Sequence, residues 1–88
     1  MSNYKQMTVE YLQQHDPDDL KRMEREGVLE EFLEGIEKDH RETERSIYKQ
    51  MTEELPEDRL ERKRKENQAR DVAREISTSY LNEFLSSL

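Results

Sequence analysis

The sequence predicts an all-α protein of one domain over residues 1–88, with two short N-terminal helices followed by a long antiparallel helical hairpin. Apolar residues recur at spacings of three and four along most of the chain, which is typical of amphipathic helices. Only 31% of the residues are hydrophobic and 42% are charged, too few apolar side chains for a β-sandwich or barrel core. Two glycines and two prolines divide the chain into helices expected over residues 3–15, 17–26, 28–54 and 57–87.

The first predicted helix has an apolar and aromatic face. Tyr4, Met7 and Tyr11 recur at three and four positions, and Leu12 lies beside Tyr11. The helix is expected to end near His15, where an imidazolium is favoured by the helix dipole. We interpret His15 as structural, because no Ser, Cys or Lys is placed to form an identifiable nucleophile–base pair with it.

The second predicted helix has the strongest local signals in the chain. Asp16 supplies a capping oxygen, and Pro17 presets the first helical φ angle. Asp18 and Asp19 then place carboxylates at the positive end of the helix dipole. Gly27 permits the left-handed conformation that ends a helix. The residues expected to face inward are Leu20 and Met23.

The third predicted helix carries a near-heptad line of inward-facing residues. Phe32 widens the apolar face where this helix is expected to cover the first two, and Gly35 indicates a close approach to another helix. Pro56 lacks an amide hydrogen, so the helix is expected to stop before it and the next helix to start there. The line consists of Leu29, Leu33, Ile36, His40, Thr43, Ile47 and Met51.

The fourth predicted helix changes character along its length. From Arg59 to Arg70 it has six basic and two acidic residues, with only Leu60 and Ala69 apolar, so this part is expected to project into solvent. The following part is amphipathic, and pairing through a tight turn at Pro56 brings residues 81–88 toward the start of the third helix. Its apolar positions are Val72, Ala73, Ile76, Tyr80, Leu81, Phe84, Leu85 and Leu88.

Charge and composition narrow the function classes. A net charge of -7 opposes binding of the whole chain to nucleic acid or to an anionic membrane. The absence of cysteine excludes disulfides and thiolate metal sites. There is no apolar run near the roughly 18 residues of a membrane span and no apolar stretch of a signal peptide at the N-terminus. We therefore expect a cytoplasmic protein without membrane contact, disulfide or cofactor.

Two groups of charged residues suggest a binding site, and each also has a simpler structural explanation. Glu37 and His40 have the spacing of a half-site in carboxylate-bridged di-iron bundles, which two chains of a ferritin-like dimer could complete. Acidic helices also produce this spacing by chance, and His40 is then a polar residue that sets helix register. The basic strip from Arg59 to Arg70 could bind phosphates, or it could be a solvated face that pairs with acids of the third helix. The strip's candidate nucleic-acid contacts are Arg62, Lys63, Arg64, Lys65 and Arg70.

An acidic surface is the more unusual feature of the sequence. Ten carboxylates occur within the 24 residues 16–39. Carboxylates spaced along helices can occupy a basic groove meant for phosphates, although solubility alone would also explain them. The candidate partner-binding residues are Asp18, Asp19, Glu26, Glu30, Glu31 and Glu34.

Residues 11–36 resemble the opening of the small transposon-encoded TnpV-like proteins of bacterial mobile elements. The residues at the family's spacing are Tyr11, Leu12, His15, Pro17, Leu20, Met23, Gly27, Leu29, Leu33 and Ile36, where Leu20 and Met23 replace the family's usual Tyr and Leu. Weaker matches are Ile47, Gln50, Met51, Asn67, Ala73, Glu75 and Ile76. Residues 59–65 replace the family's Gly-Val-Thr segment and Trp-containing stretch. The resemblance implies a mobile-element origin, an all-helical fold and no catalytic activity.

These observations together predict a non-enzymatic protein-interaction module. Its expected partner is another protein, for instance a nucleic-acid-handling enzyme that the acidic surface inhibits as a decoy. A nucleic-acid-associated regulator that uses the basic strip is the alternative. About 27 hydrophobic residues spread over four helices leave little stabilisation beyond the cost in chain entropy, so a homodimer is expected.

Overall fold

The computed structural model describes residues 3–88 and contains four α-helices. They are α1 (Tyr4–His15), α2 (Pro17–Glu26), α3 (Leu29–Met51) and α4 (Arg59–Ser86). No strand occurs in this part of the chain, which confirms the all-α class. The molecule is elongated, with extents of 54 × 20 × 19 Å, and the long helix α3 packs against α4.

The predicted signals at both ends of α2 act as expected. The Asp16 carboxylate accepts a hydrogen bond from the Asp19 amide at 3.3 Å. Gly27 adopts a left-handed conformation with φ of 73°. The amide of Val28 donates to the carbonyl of Met23 at 3.1 Å, which is the long hydrogen bond of a Schellman motif. Hydrogen bonds within a few residues therefore determine the limits of this helix.

Helix α3 ends at Met51, three residues before the predicted end at 54. The Thr52 amide donates to the carbonyl of Tyr48 at 3.0 Å, and its hydroxyl donates to the same oxygen at 2.8 Å. Beyond Thr52, the carboxylates of Glu53 and Glu54 would lie at the negative end of the helix dipole. Both effects favour an end of α3 at Met51, several residues before Pro56.

Helix α4 begins at Arg59, two residues after the predicted start at 57. Asp58 was expected inside the first turn, but it is the N-cap. Its Oδ1 accepts hydrogen bonds from the amides of Leu60 at 2.9 Å and Glu61 at 3.2 Å. An aspartate side chain satisfies free amides best from the cap position, so the helix starts after it.

Phe32 packs against both hydrophobic clusters of the core and so links all four helices. The first cluster joins α1, α3 and α4, and the second joins α1 and α2. The buried members are Tyr4, Ile36, Leu81 and Leu85 in the first cluster, and Leu12, Leu20 and Met23 in the second.

Among residues 3–88, two polar side chains are fully buried, and the sequence pattern did not identify them. Thr8 donates a hydrogen bond from Oγ1 to the carbonyl of Tyr4 at 2.8 Å. Ser77 donates from Oγ to the carbonyl of His40 at 2.7 Å. Each hydroxyl is satisfied by a backbone oxygen, so its burial is tolerated.

The predicted apolar stripe of α4 is only partly docked, and one other expectation about packing is wrong. Tyr80, Phe84 and Leu88 are 51%, 42% and 66% exposed. The small side chains of Ala69, Ala73 and Ser77 instead let the neighbouring line of α4 approach α3 closely. Gly35 does not mark a close helix contact, because a Cβ atom added there would meet nothing within 4 Å.

Candidate functional site

The predicted acidic surface lies on α2 and the first turns of α3, and part of its charge is neutralised internally. Arg22 bridges two of its carboxylates, with a nitrogen–oxygen distance of 2.6 Å to Asp19 and 2.7 Å to Glu26. This arginine occupies the same side of α2 as both acids. Asp19 and Glu26 are therefore partly committed to contacts within the chain.

Lys5 of α1 lies against the acidic side of α3. Its Nζ is 3.3 Å from Glu30 and 3.6 Å from Glu37. The hydrogen bond to Glu30, together with the negative charges of Glu30, Glu37 and Glu34, raises the pKa of Lys5 above its ordinary value. Glu30 is thus a contact between α1 and α3 as well as a surface acid.

Asp18, Glu31 and Glu34 form the part of the acidic surface that makes no hydrogen bond or ion pair with residues 3–88. All three side chains belong to exposed residues. Glu34 acts on Lys5 through its charge alone, without direct contact, so a cationic group from outside the chain can approach all three carboxylates. The structure thus separates the six predicted residues into three paired and three unpaired carboxylates.

The side chains of Glu37 and His40 have different neighbours. Glu37 forms an ion pair with Arg41 at 2.9 Å. The His40 ring lies 5.7 Å from the ring of Tyr4 and 6.5 Å from that of Phe84, and burial lowers its pKa. Within residues 3–88, no group of three or more His, Cys, Asp or Glu side chains could hold a metal ion. The remaining histidine, His15, is exposed with its ring 4.4 Å from that of Tyr11.

Only some residues of the predicted basic strip on α4 make contacts within the chain. Arg62 donates from Nε to the carbonyl of Pro56 at 3.3 Å, and Lys65 donates from Nζ to that of Glu54 at 2.7 Å. Arg64 pairs with Glu61 on its own helix at 3.3 Å. The two other candidates, Lys63 and Arg70, make no such contact in the described part of the chain.

A groove between α3 and α4 collects arginines that sequence reasoning did not single out together. We call it the arginine groove. It has a volume of about 330 Å³ and is lined by Arg41, Glu44, Arg45, Tyr48, Arg70, Ala73 and Arg74. A usable sequence signal exists, because Arg41 with Arg45 and Arg70 with Arg74 are spaced by four and each pair shares a helix face.

Comparisons of the chain with protein-family models, with curated proteins and with solved structures find no match. The TnpV-like resemblance therefore stays a prediction. Among residues 3–88, no helix combines the length and the apolar character that a membrane crossing requires.

Proposed function

We propose that this chain is a non-enzymatic helical interaction module that binds a basic surface of a protein partner through its acidic surface. Residues 16–39 contain ten acidic and four basic side chains, a local net charge of -6. Clustered charge of one sign accelerates association with a surface of the opposite sign. The surface spans two helices joined by the rigid Schellman turn at Gly27, so its carboxylates keep a constant spacing.

The observation that carries this proposal is the exposure of Asp18, Glu31 and Glu34 without a hydrogen bond or ion pair to residues 3–88. A partner's Lys or Arg side chain can approach them without breaking an existing ion pair. The partner class we propose is a nucleic-acid-handling enzyme whose phosphate-binding groove accepts these carboxylates as a decoy. A mobile-element origin and a cytoplasmic location, both expected from the sequence, are consistent with such a role.

A competition assay tests the proposal. A panel of purified nucleases is mixed with a labelled DNA duplex, and DNA release by this protein is measured between 50 and 300 mM salt. We expect release of DNA from at least one nuclease at low salt and its loss at high salt, because screening weakens charge contacts. Replacing Asp18, Glu31 and Glu34 by Asn, Gln and Gln is expected to abolish release.

The matched control replaces Glu53, Glu54 and Glu57 by Gln. These exposed acids lie outside the acidic surface, and the substitutions change the net charge by the same amount. The control is expected to release DNA as the unmodified protein does. Equal loss in both variants would show that only total charge matters and would refute a defined acidic surface.

We further propose that α3 and α4 run antiparallel as a hairpin. The contacts between them support this direction, because later residues of α3 meet earlier residues of α4. Ile36 shares a cluster with Leu81. His40 accepts the hydrogen bond from Ser77, and farther along α3 an arginine of α4 approaches Glu44 at 4.0 Å.

We also propose that a second copy of the chain covers the exposed apolar side of α4, which consists of Tyr80, Phe84 and Leu88. Residues 76–88 contain one charged residue, Glu83, in a chain that is 42% charged, and depletion of charge is typical of interface cores. In a side-by-side antiparallel dimer, residues 16–39 of one copy, with a net charge of -6, lie near residues 59–70 of the other copy, with a net charge of +4. This complementarity favours a second copy over an unrelated occupant.

Light scattering tests the dimer. The chain is expected to have twice the monomer mass at micromolar concentration, and Tyr80→Ser with Phe84→Ser is expected to halve it. Both positions are exposed, so the monomer should keep its helix content. A monomeric parent chain would overturn the proposal.

A further inference from the structure

We propose that the arginine groove binds a phosphate-bearing small molecule of the nucleoside phosphate class. The inference is independent of the acidic surface, which lies at the α2–α3 end of the molecule. It depends on side chains that α3 and α4 contribute together, and on their charge.

The groove has strongly positive lining in an acidic protein. Four of its residues are arginines and one is a glutamate, whereas the chain as a whole has a net charge of -7. Arg41 pairs with Glu37 and Arg74 approaches Glu44, so Arg45 and Arg70 supply the positive charge of the groove that no ion pair within residues 3–88 offsets. Arginine is also the side chain that matches phosphate oxygens through paired N–H donors.

The single carboxylate of the groove has its own contacts. Glu44 accepts a hydrogen bond from the Tyr4 hydroxyl at Oε2, at 2.7 Å. Its Oε1 lies 4.0 Å from Nε of Arg74, and this Nε is buried without a hydrogen-bond partner among residues 3–88. Glu44 therefore lies beside Arg74 and offsets part of its charge.

Arg45 and Arg70 are the groove residues available to a ligand. Both are exposed, and neither makes a hydrogen bond or ion pair with residues 3–88. They come from different helices, so a phosphate between them would be bound from two sides. No internal contact has to break for this to happen, which favours binding.

The remaining lining indicates a ligand with an aromatic ring. Tyr48 is half-buried, so the groove offers part of a phenol ring beside the arginines, whereas Ala73 is fully buried and forms its floor. Stacking on an aromatic side chain is a common contact of nucleobases. A volume of about 330 Å³ is within the usual range of small-molecule sites.

Calorimetric titration of the full chain with ATP, inorganic phosphate and adenosine tests the proposal. We expect saturable binding of ATP at 50 mM salt, weaker binding of phosphate and none of adenosine. Arg45→Gln with Arg70→Gln is expected to weaken ATP binding at least about tenfold, since hydrogen bonds to charged groups are strong. Tyr48→Ala is expected to weaken ATP binding while phosphate binding is retained.

The matched control is Arg59→Gln with Lys63→Gln, which removes two positive charges from an exposed part of α4 outside the groove. It should bind ATP as the parent chain does. Equal loss in the control and groove variants would overturn the proposal, as would the absence of saturable ATP binding.

A single-stranded 12-nucleotide DNA is the last arm of the experiment. Competition between this DNA and ATP, lost in the groove variant, would support the groove as a phosphate site. If the Arg59 and Lys63 variant alone loses both DNA and ATP, the basic strip is the phosphate-binding surface and the groove proposal is wrong.

Discussion

The Tyr4 hydroxyl donates a hydrogen bond of 2.7 Å to Oε2 of Glu44, across 40 positions of sequence. Tyr4 is fully buried, and the Glu44 side chain is 20% exposed. The contact attaches the first turn of α1 to the middle of α3. It connects the core to the arginine groove, because Tyr4 belongs to the first core cluster and Glu44 lines the groove.

Removing this hydroxyl is expected to destabilise the fold. Tyr4→Phe keeps the buried ring but leaves a half-buried carboxylate oxygen without its donor, so the free energy of unfolding should fall by about 1.5 kcal/mol. Urea denaturation followed by circular dichroism measures the change. Tyr11→Phe is the control on the same helix, and its effect should stay within about 0.5 kcal/mol. Equal effects would contradict the assigned role of the Tyr4 hydroxyl.

The two glycines are expected to respond to alanine with opposite signs. Gly27 has φ of 73°, so Gly27→Ala should lower the free energy of unfolding by about 1 to 2 kcal/mol. Gly35 is an exposed helical position with open space at its Cβ, so Gly35→Ala should raise it by about 1 kcal/mol. Thermal denaturation of both variants checks the pair, and shifts in the same direction would disprove the assignment.

Acidification is expected to destabilise the protein through His40. Its pKa is lowered by burial, against a smaller opposing effect of Asp39, and the rings of Tyr4 and Phe84 face it from α1 and α4. The unfolded chain then binds a proton more readily than the folded chain, so stability falls as pH drops below the ordinary histidine value of 6.5.

Urea midpoints measured from pH 7.5 to 5.5 test this expectation. His40→Phe keeps a ring at this position and should flatten the pH dependence. His15→Asn removes the exposed histidine and should leave the dependence in place. An unchanged pH dependence in the His40 variant would count against the buried imidazole as its source.

Burial, rather than residue type, is expected to determine the effect of leucine truncation in α4. Leu81 is 0% exposed and belongs to the first core cluster, so Leu81→Ala should cost about 2 to 5 kcal/mol or abolish folding. Leu60 is 63% exposed, and Leu60→Ala should stay within about 0.5 kcal/mol. Melting temperatures of both variants make the comparison, and similar losses would refute it.

The limits of α2 were predictable because their causes are local. Asp16 and Gly27 act through hydrogen bonds and backbone conformation within a few residues, and the structure places both as predicted. The ends of α3 and α4 were less predictable. Thr52 caps the end of α3, Asp58 caps the start of α4, and Pro56 lies between them. Each of the three residues can end or start a helix, and the sequence does not show which of them sets each boundary.

The apolar pattern of α4 was visible in the sequence. It does not show whether the helix buries the line of Ala73 and Ser77 or the neighbouring line of Tyr80 and Phe84. The answer depends on which line faces α3, and the buried line contains the small side chains of Ala73 and Ser77, the latter hydrogen-bonded to the carbonyl of His40. Phe84 therefore stays partly exposed, although it is more apolar than Ser77.

The sequence by itself determined that the chain is helical and where α2 begins and ends, since periodicity and capping act over one or two turns. Only the tertiary structure decided that Arg45 and Arg70 share a groove, that partial burial lowers the pKa of His40, and that Lys5 neutralises part of the acidic surface. These relationships join residues 25 or more positions apart. Such contacts arise from the packing of one helix on another, which no local pattern specifies.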